Sequence, residues 1–206
     1  MLKGVQLEMQ SRGYHLVLGS GFAATVEKLT YLQRLANTTV DGWMLGDVVE
    51  REVVEWLRHA SVPTVIVGGG TVTPRLDCIY PDNAQAARQA TRHLLDLGHR
   101  RLAFVSYAAH SHSPAARVRG FREALEERGI AAKTAPVFSV GVGPEALAAW
   151  LQQTVTVRSE TSPTAVVAYD DRQALALVKA AQAQGLEIPG DLSVVGFDDT
   201  QATAKS

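Results

Sequence analysis

The chain is 206 residues long, is 46% hydrophobic, and carries 20 Lys and Arg against 21 Asp and Glu for a formal net charge of −1. With no surplus of cations to displace counterions, this polypeptide is by itself a poor nucleic-acid binder. Its single cysteine, Cys78, excludes a disulfide framework, and no apolar run reaches the ~20 residues that span a bilayer.

In chain order, Met1-Leu2-Lys3-Gly4 leads into an amphipathic segment rather than the apolar stretch of a signal peptide, so a cytoplasmic setting is expected. Residues 2–12 read as a helix stopped at Gly13, and Tyr14 to Leu18 as a strand. Residues 25–37 are helical, with Leu29, Leu32, Leu35 and Ala36 forming an apolar stripe. Val40 to Leu45 is a strand, 49–60 a helix ending before Pro63, and Thr64 to Val67 a strand closed by Gly68-Gly69-Gly70. The same grammar then repeats. Helices at 83–97, 115–128 and 172–184 each run up to a glycine (Gly98, Gly129 and Gly185), which tolerates the left-handed conformation past a helix end. A further helix starts at Pro144, where the missing N–H costs least. Strands fall at 102–105, 137–140, 164–169 and 193–197.

Alternation of this kind predicts an α/β protein with two doubly wound parallel-sheet lobes. The glycine- and proline-rich stretch from Gly68 to Asp82 marks the break, with a hinge near 70–82, an N-terminal lobe over 1–75, a C-terminal lobe over 76–206 and a cleft between them. A doubly wound lobe normally opens on a strand in the middle of its sheet, whereas this chain opens on a helix. It also ends soon after Asp198-Asp199. The expectation is a piece of a longer protein, with the opening strand of the first lobe and the C-terminal crossover missing.

Three predicted strands deliver polar groups at their carboxyl tips, where open α/β sheets bind ligands. They end in Ser106-Tyr107, Asp170-Asp171 and Asp198-Asp199, and Arg117 follows the first of them. Acids supply acceptors, and a guanidinium grips adjacent hydroxyls with two N–H groups, which together describe a site for a small polar molecule. Tyr169, Tyr107 and Phe22 offer stacking faces. Asp171 is expected to cap the helix at 172–184.

An enzyme reading rests on Gly19-Ser20-Gly21-Phe22-Ala23-Ala24, which matches the dinucleotide fingerprint G-x-G-x-x-A. Asp41 lies near the expected distance, yet it begins its strand where a ribose-binding acid ends one. No phosphate-binding loop, nucleophile elbow or triad is present, so no catalytic residue and no cofactor are assigned. His110 and His112 lack a third ligand nearby, so no metal is assigned. Cys78 reads as a small buried apolar residue.

A set of short motifs occurs in one order: Gly13-Tyr14, Val40-Asp41-Gly42, Pro63-Thr64-Val65, Asp82-Asn83, Gly98-His99-Arg100-Arg101, Arg117…Gly120-Phe121, Pro163-Thr164-Ala165, Asp171…Ala174-Leu175, Ile188-Pro189…Asp191-Leu192-Ser193 and Gly196-Phe197-Asp198-Asp199. From Leu2 to Asp199 the chain resembles the effector-binding core of a lactose-repressor/galactose-repressor family transcription regulator, whose fold is periplasmic-binding-protein-like. The resemblance implies a small-molecule effector, often a sugar or purine, bound between the lobes and contacted by Arg117 and Asp198. It implies a homodimer, and operator DNA read by an N-terminal helix-turn-helix domain that these residues do not include. Asp170 stands where the family usually has asparagine, which adds a charge and points to a ligand richer in donors or to a cation. A free-standing sugar-binding protein for transport or signalling is the alternative.

Overall fold

The computed structural model describes residues 2–19, 25–36, 40–46, 50–68, 76–106, 112–141, 143–156 and 159–200. The chain begins with α1 (Leu2–Ser11), α2 (Thr25–Ala36), β1 (Trp43–Gly46), α3 (Arg51–His59), β2 (Thr64–Val67) and β3 (Asp77–Ile79). Strands β1, β2 and β3 form a three-stranded sheet in that order. There follow α4 (Asn83–Asp96), β4 (Leu102–Ser106), α5 (His112–Glu127), β5 (Val137–Ser139), α6 (Pro144–Leu151), β6 (Ala165–Ala168), α7 (Asp171–Ala183) and β7 (Ser193–Val195). Two compact units result. One comprises residues up to Val65 except Gly46–Val48; the other comprises those three and everything from Ile66 onward.

In the first unit, α3 is amphipathic and buries Val53, Val54 and Leu57 on one face. Trp56 of the same helix stacks on the buried Trp43 of β1 at 5.4 Å. Three sequence expectations change between Tyr14 and Ile79. Tyr14 to Leu18 is not a strand: no strand among the described residues runs beside it, and extended backbone becomes a strand only when a neighbour completes its hydrogen-bond ladder. Val17 and Leu18 are accordingly exposed. The stretch expected to be hinge contains a strand, β3, whose end is tied by the Gly68 N–H donating to the Ile79 carbonyl at 2.8 Å. Cys78 lies on that strand and is only half-buried, because a three-residue strand at a sheet edge has little to cover it. Residues 70–75 of the expected hinge lie outside the described residues.

The second unit is built on a four-stranded sheet in the order β5-β4-β6-β7, with every neighbouring pair parallel. Both faces are covered, which explains why its strands read as continuous apolar runs. On one face Leu102, Phe104, Ala165 and Val167 pack against Leu94 and Leu95 of α4 and Phe121, Ala124 and Leu125 of α5. On the other, Ala103, Val105 and Val166 pack against Leu147, Trp150 and Leu151 of α6 and Leu177, Ala180 and Ala181 of α7. The helix after β4 therefore covers one face and the helix after β6 the opposite face. Adjacent strands whose following helices diverge in this way open a crevice at their carboxyl ends, the switch point at which open α/β sheets bind ligands.

Candidate functional site

Arg117 occupies that switch point. It lies on α5, one helical turn before Phe121, whose ring packs on Phe104 of β4 at 5.6 Å. Its side chain is buried, and Nε and Nη1 of the guanidinium are hydrogen-bonded. Nε donates to Asn83 Oδ1 at 2.9 Å, and Nη1 donates to the Tyr169 carbonyl at the end of β6. The Tyr169 and Phe197 rings each lie 4.5 Å from Cζ, so the cation is held between two aromatic faces. Nη2 faces Asp198 Oδ1 at 3.9 Å, within ion-pair range and beyond a hydrogen bond.

Two glycines make this assembly possible. A Cβ on Gly120 would fall 1.9 Å from the Ala84 carbonyl oxygen, so α4 and α5 cross with their backbones in contact, and Asn83 at the start of α4 reaches Arg117. A Cβ on Gly196 would fall 2.8 Å from Asp171 Oδ1 and 3.0 Å from Ala174 Cβ, so the exit of β7 lies directly against α7. The turn that follows is fixed at both ends. The Asp171 N–H donates to the Phe197 carbonyl at 2.8 Å, and Asp171 Oδ2 accepts from the Thr200 N–H at 2.7 Å.

Between those ties Asp198 and Asp199 adopt φ of 98° and 48°, a region non-glycine residues seldom occupy. Backbone strain of this kind persists where the surroundings over-determine it, and it collects at binding sites. Asp198 is half-exposed. Loss of hydration on its covered side pushes its carboxyl above the usual aspartate range; Arg117 opposes the shift, while Asp170 and Asp171 add to it.

The cap expected at Asp171 is supplied by Asp170 instead. Asp170 has extended backbone and accepts from the Gln173 N–H at 2.7 Å, which makes it the N-cap of α7. Asp171 is already helical and buried, and its carboxylate turns to the Thr200 amide. The structure thus brings Arg117, Tyr169, Asp170 and Asp198 together at the tips of β6 and β7. Tyr107, Phe22 and His110 lie outside the described residues, as do Ser20 to Ala24 of the fingerprint. The strand that the fingerprint must follow is not formed at Tyr14 to Leu18. Among the described residues no group of three His, Cys, Asp or Glu side chains could hold a metal ion.

Sequence reasoning missed three contributors: Asn83, Phe197 and Gln173. The first two stand inside the quoted motifs, but neither spacing nor residue type announces an arginine clamp. Gln173 is wholly buried; its Nε2 donates to the Val140 carbonyl at 3.0 Å and its Oε1 accepts from the Tyr169 N–H at 3.1 Å, pinning the β6 tip. A surface depression of about 470 Å³ lined by Leu186, Ile188 and Pro189 lies at the other edge of the sheet, where the chain enters β7, away from these groups.

Residues 91–206 match the periplasmic binding protein-like domain family. Catabolite control protein A of Priestia megaterium is 31% identical over 195 residues, 91% of this chain and 57% of that protein. A LacI transcriptional regulator from Rhodococcus species superposes with a TM-score of 0.83 at 26% identity, over 97% of this chain and 73% of that one. The chain belongs to the lactose-repressor/galactose-repressor family. It is similar also to the transcriptional regulator CelR, solved in complex with cellobiose, at 29% identity and a TM-score of 0.80, over 97% of this chain and 61% of that one. The ligand-binding core of such regulators is the part represented here, and the chain spans 57% of the length of its Priestia relative. Among the described residues no helix is long and apolar enough to cross a membrane.

Proposed function

We propose that this lactose-repressor-family chain is the effector-sensing core of a bacterial DNA-binding regulator. It takes a small polar ligand, a sugar or a related molecule, between lobes 1–75 and 76–206, and so controls a helix-turn-helix domain in a homodimer. The observation that carries this reading is Arg117 fixed at the switch point between Asn83, the Tyr169 carbonyl and two aromatic rings, with Nη2 facing Asp198. A guanidinium held this way has lost its rotamer freedom before a ligand arrives, which lowers the entropic cost of binding.

Asp198 and Asp170 supply acceptors, and the rings of Tyr169 and Phe197 supply an apolar wall. One cation among several carboxylates selects a ligand rich in hydroxyl or amine donors. Only contacts that differ between open and closed lobes shift their populations, and a coupling of about 1–3 kcal/mol serves for graded control.

The test is calorimetric titration of the 206-residue chain with cellobiose, glucose, glucose 6-phosphate and adenosine. At least one is expected to bind, and Arg117→Ala to weaken that binding tenfold or more. Binding unchanged in a folded Arg117→Ala protein would refute the assigned site.

A further inference from the structure

Ser106 ends β4, the strand beside the switch point. It is 4% exposed, and its Oγ has no hydrogen-bond partner among the described residues. Buried hydroxyls are almost always paired, and one left unpaired costs free energy, so an orphan calls for an explanation.

The direction of this hydroxyl follows from the sheet. Side chains alternate along a strand, so Ser106 shares its face with Phe104 and Leu102, the face that packs on α5. Phe121 of α5 lies over Phe104. Arg117 is four residues earlier on the helix, about 6 Å nearer the carboxyl edge, and Ser106 is two residues later on the strand, about 6.6 Å in the same direction. Ser106 therefore lies under Arg117 as Phe104 lies under Phe121. The β4–β6 register pairs Val105 with Ala168, and the Tyr169 N–H donates to the Val105 carbonyl at 2.9 Å, which sets Ser106 alongside Tyr169. Tyr169 packs on the same core face and carries the carbonyl and ring that hold Arg117.

We propose that the Ser106 hydroxyl is a further effector-contacting group, directed into the Arg117–Tyr169 site and paired only when a polar ligand is bound. This rests on the effector-binding reading above. The partner is a hydroxyl or amine of the same donor-rich ligand, because the serine oxygen can accept one hydrogen bond and donate another. The hydroxyl contributes to affinity and specificity, and the free protein carries it at a cost in stability.

Ser106→Ala separates this role from a structural one, since removing an orphan hydroxyl relieves the free protein while removing a contact weakens the complex. Titrations of wild-type, Ser106→Ala and Ser139→Ala chains with cellobiose, glucose, glucose 6-phosphate and adenosine are compared with their thermal midpoints. Ser139 is the control, in register with Ser106 on β5 but exposed. The proposal expects Ser106→Ala to bind about threefold to tenfold more weakly. It expects the Tm of that free variant to be unchanged or up by about 2–4 °C. Ser139→Ala is expected to match wild type in affinity. Unchanged affinity in Ser106→Ala overturns the proposal and leaves the Arg117 site standing. Weaker binding with a lowered Tm assigns Ser106 to the fold and also overturns it. If none of the four compounds binds the wild-type chain, the effector-binding reading fails for these classes and takes this proposal with it.

Discussion

His99 shows how a single residue of a motif can hold several strands. Its Nδ1 lies 2.9 Å from Thr164 Oγ1 and its Nε2 3.0 Å from Ser193 Oγ, so one ring joins the approaches to β4, β6 and β7. A neutral imidazole offers one donor and one acceptor, and the two hydroxyls rotate to match. Burial holds the His99 pKa below its ordinary value of 6.5 by penalising the charged ring. The unfolded chain therefore binds this proton at higher pH than the folded one does. The contribution of His99 is complete above about pH 6.5 and is lost as the pH falls from there towards the lower folded value. Urea midpoints at pH 7.5 and pH 5.5 are expected to show lower stability at the acid value, with His99→Gln narrowing the difference. Equal narrowing in an exposed-histidine control such as His93→Gln would contradict this. The two arginines after His99 also have identifiable work, Arg100 donating to the Leu95 carbonyl at 3.0 Å and Arg101 to the Ser162 carbonyl at 2.8 Å.

At the scale of elements, the contact between α4 and α5 has the narrowest tolerance. Gly120→Ala forces a methyl carbon into the Ala84 carbonyl, and backbone cannot yield as a flexible side chain can. Overpacking of this type costs about 1–3 kcal/mol, and the forced separation also draws Asn83 away from Arg117. A drop of that size in urea-unfolding free energy is expected, together with weaker effector binding; wild-type stability in the variant would show that the two helices can part freely. Alternating apolar runs and helix-ending glycines made most elements legible in the sequence, because each is a local signal. The exceptions are instructive. Tyr14 to Leu18 has strand composition but no ladder partner among the described residues, and pairing is a tertiary event that composition cannot supply. Asp170 and Asp171 are adjacent and chemically identical, so which one caps α7 depended on where β6 ended. Asp170 and Asp198 were readable from their strand tips and Arg117 from the segment after the first of those strands, whereas the parts of Asn83 and Gln173 and the unpaired state of Ser106 became visible only once helix crossing and register were known.

For the whole molecule, family membership defines the architecture and the second unit's switch point defines where its chemistry gathers. The proposed site lies where α5 and α7 diverge to opposite faces of the sheet, and the cation, acids and aromatic walls assigned to it come from α5, β6 and the turn after β7. Two-dimensional amide NMR of the isotopically labelled 206-residue chain, titrated with whichever of the four probe compounds binds, examines this most directly. Chemical-shift changes are predicted to concentrate at Asn83, Ser106, Tyr169 to Asp171 and Phe197 to Asp199. Changes confined to the depression at Leu186 to Pro189, with the strand tips unmoved, would contradict the account.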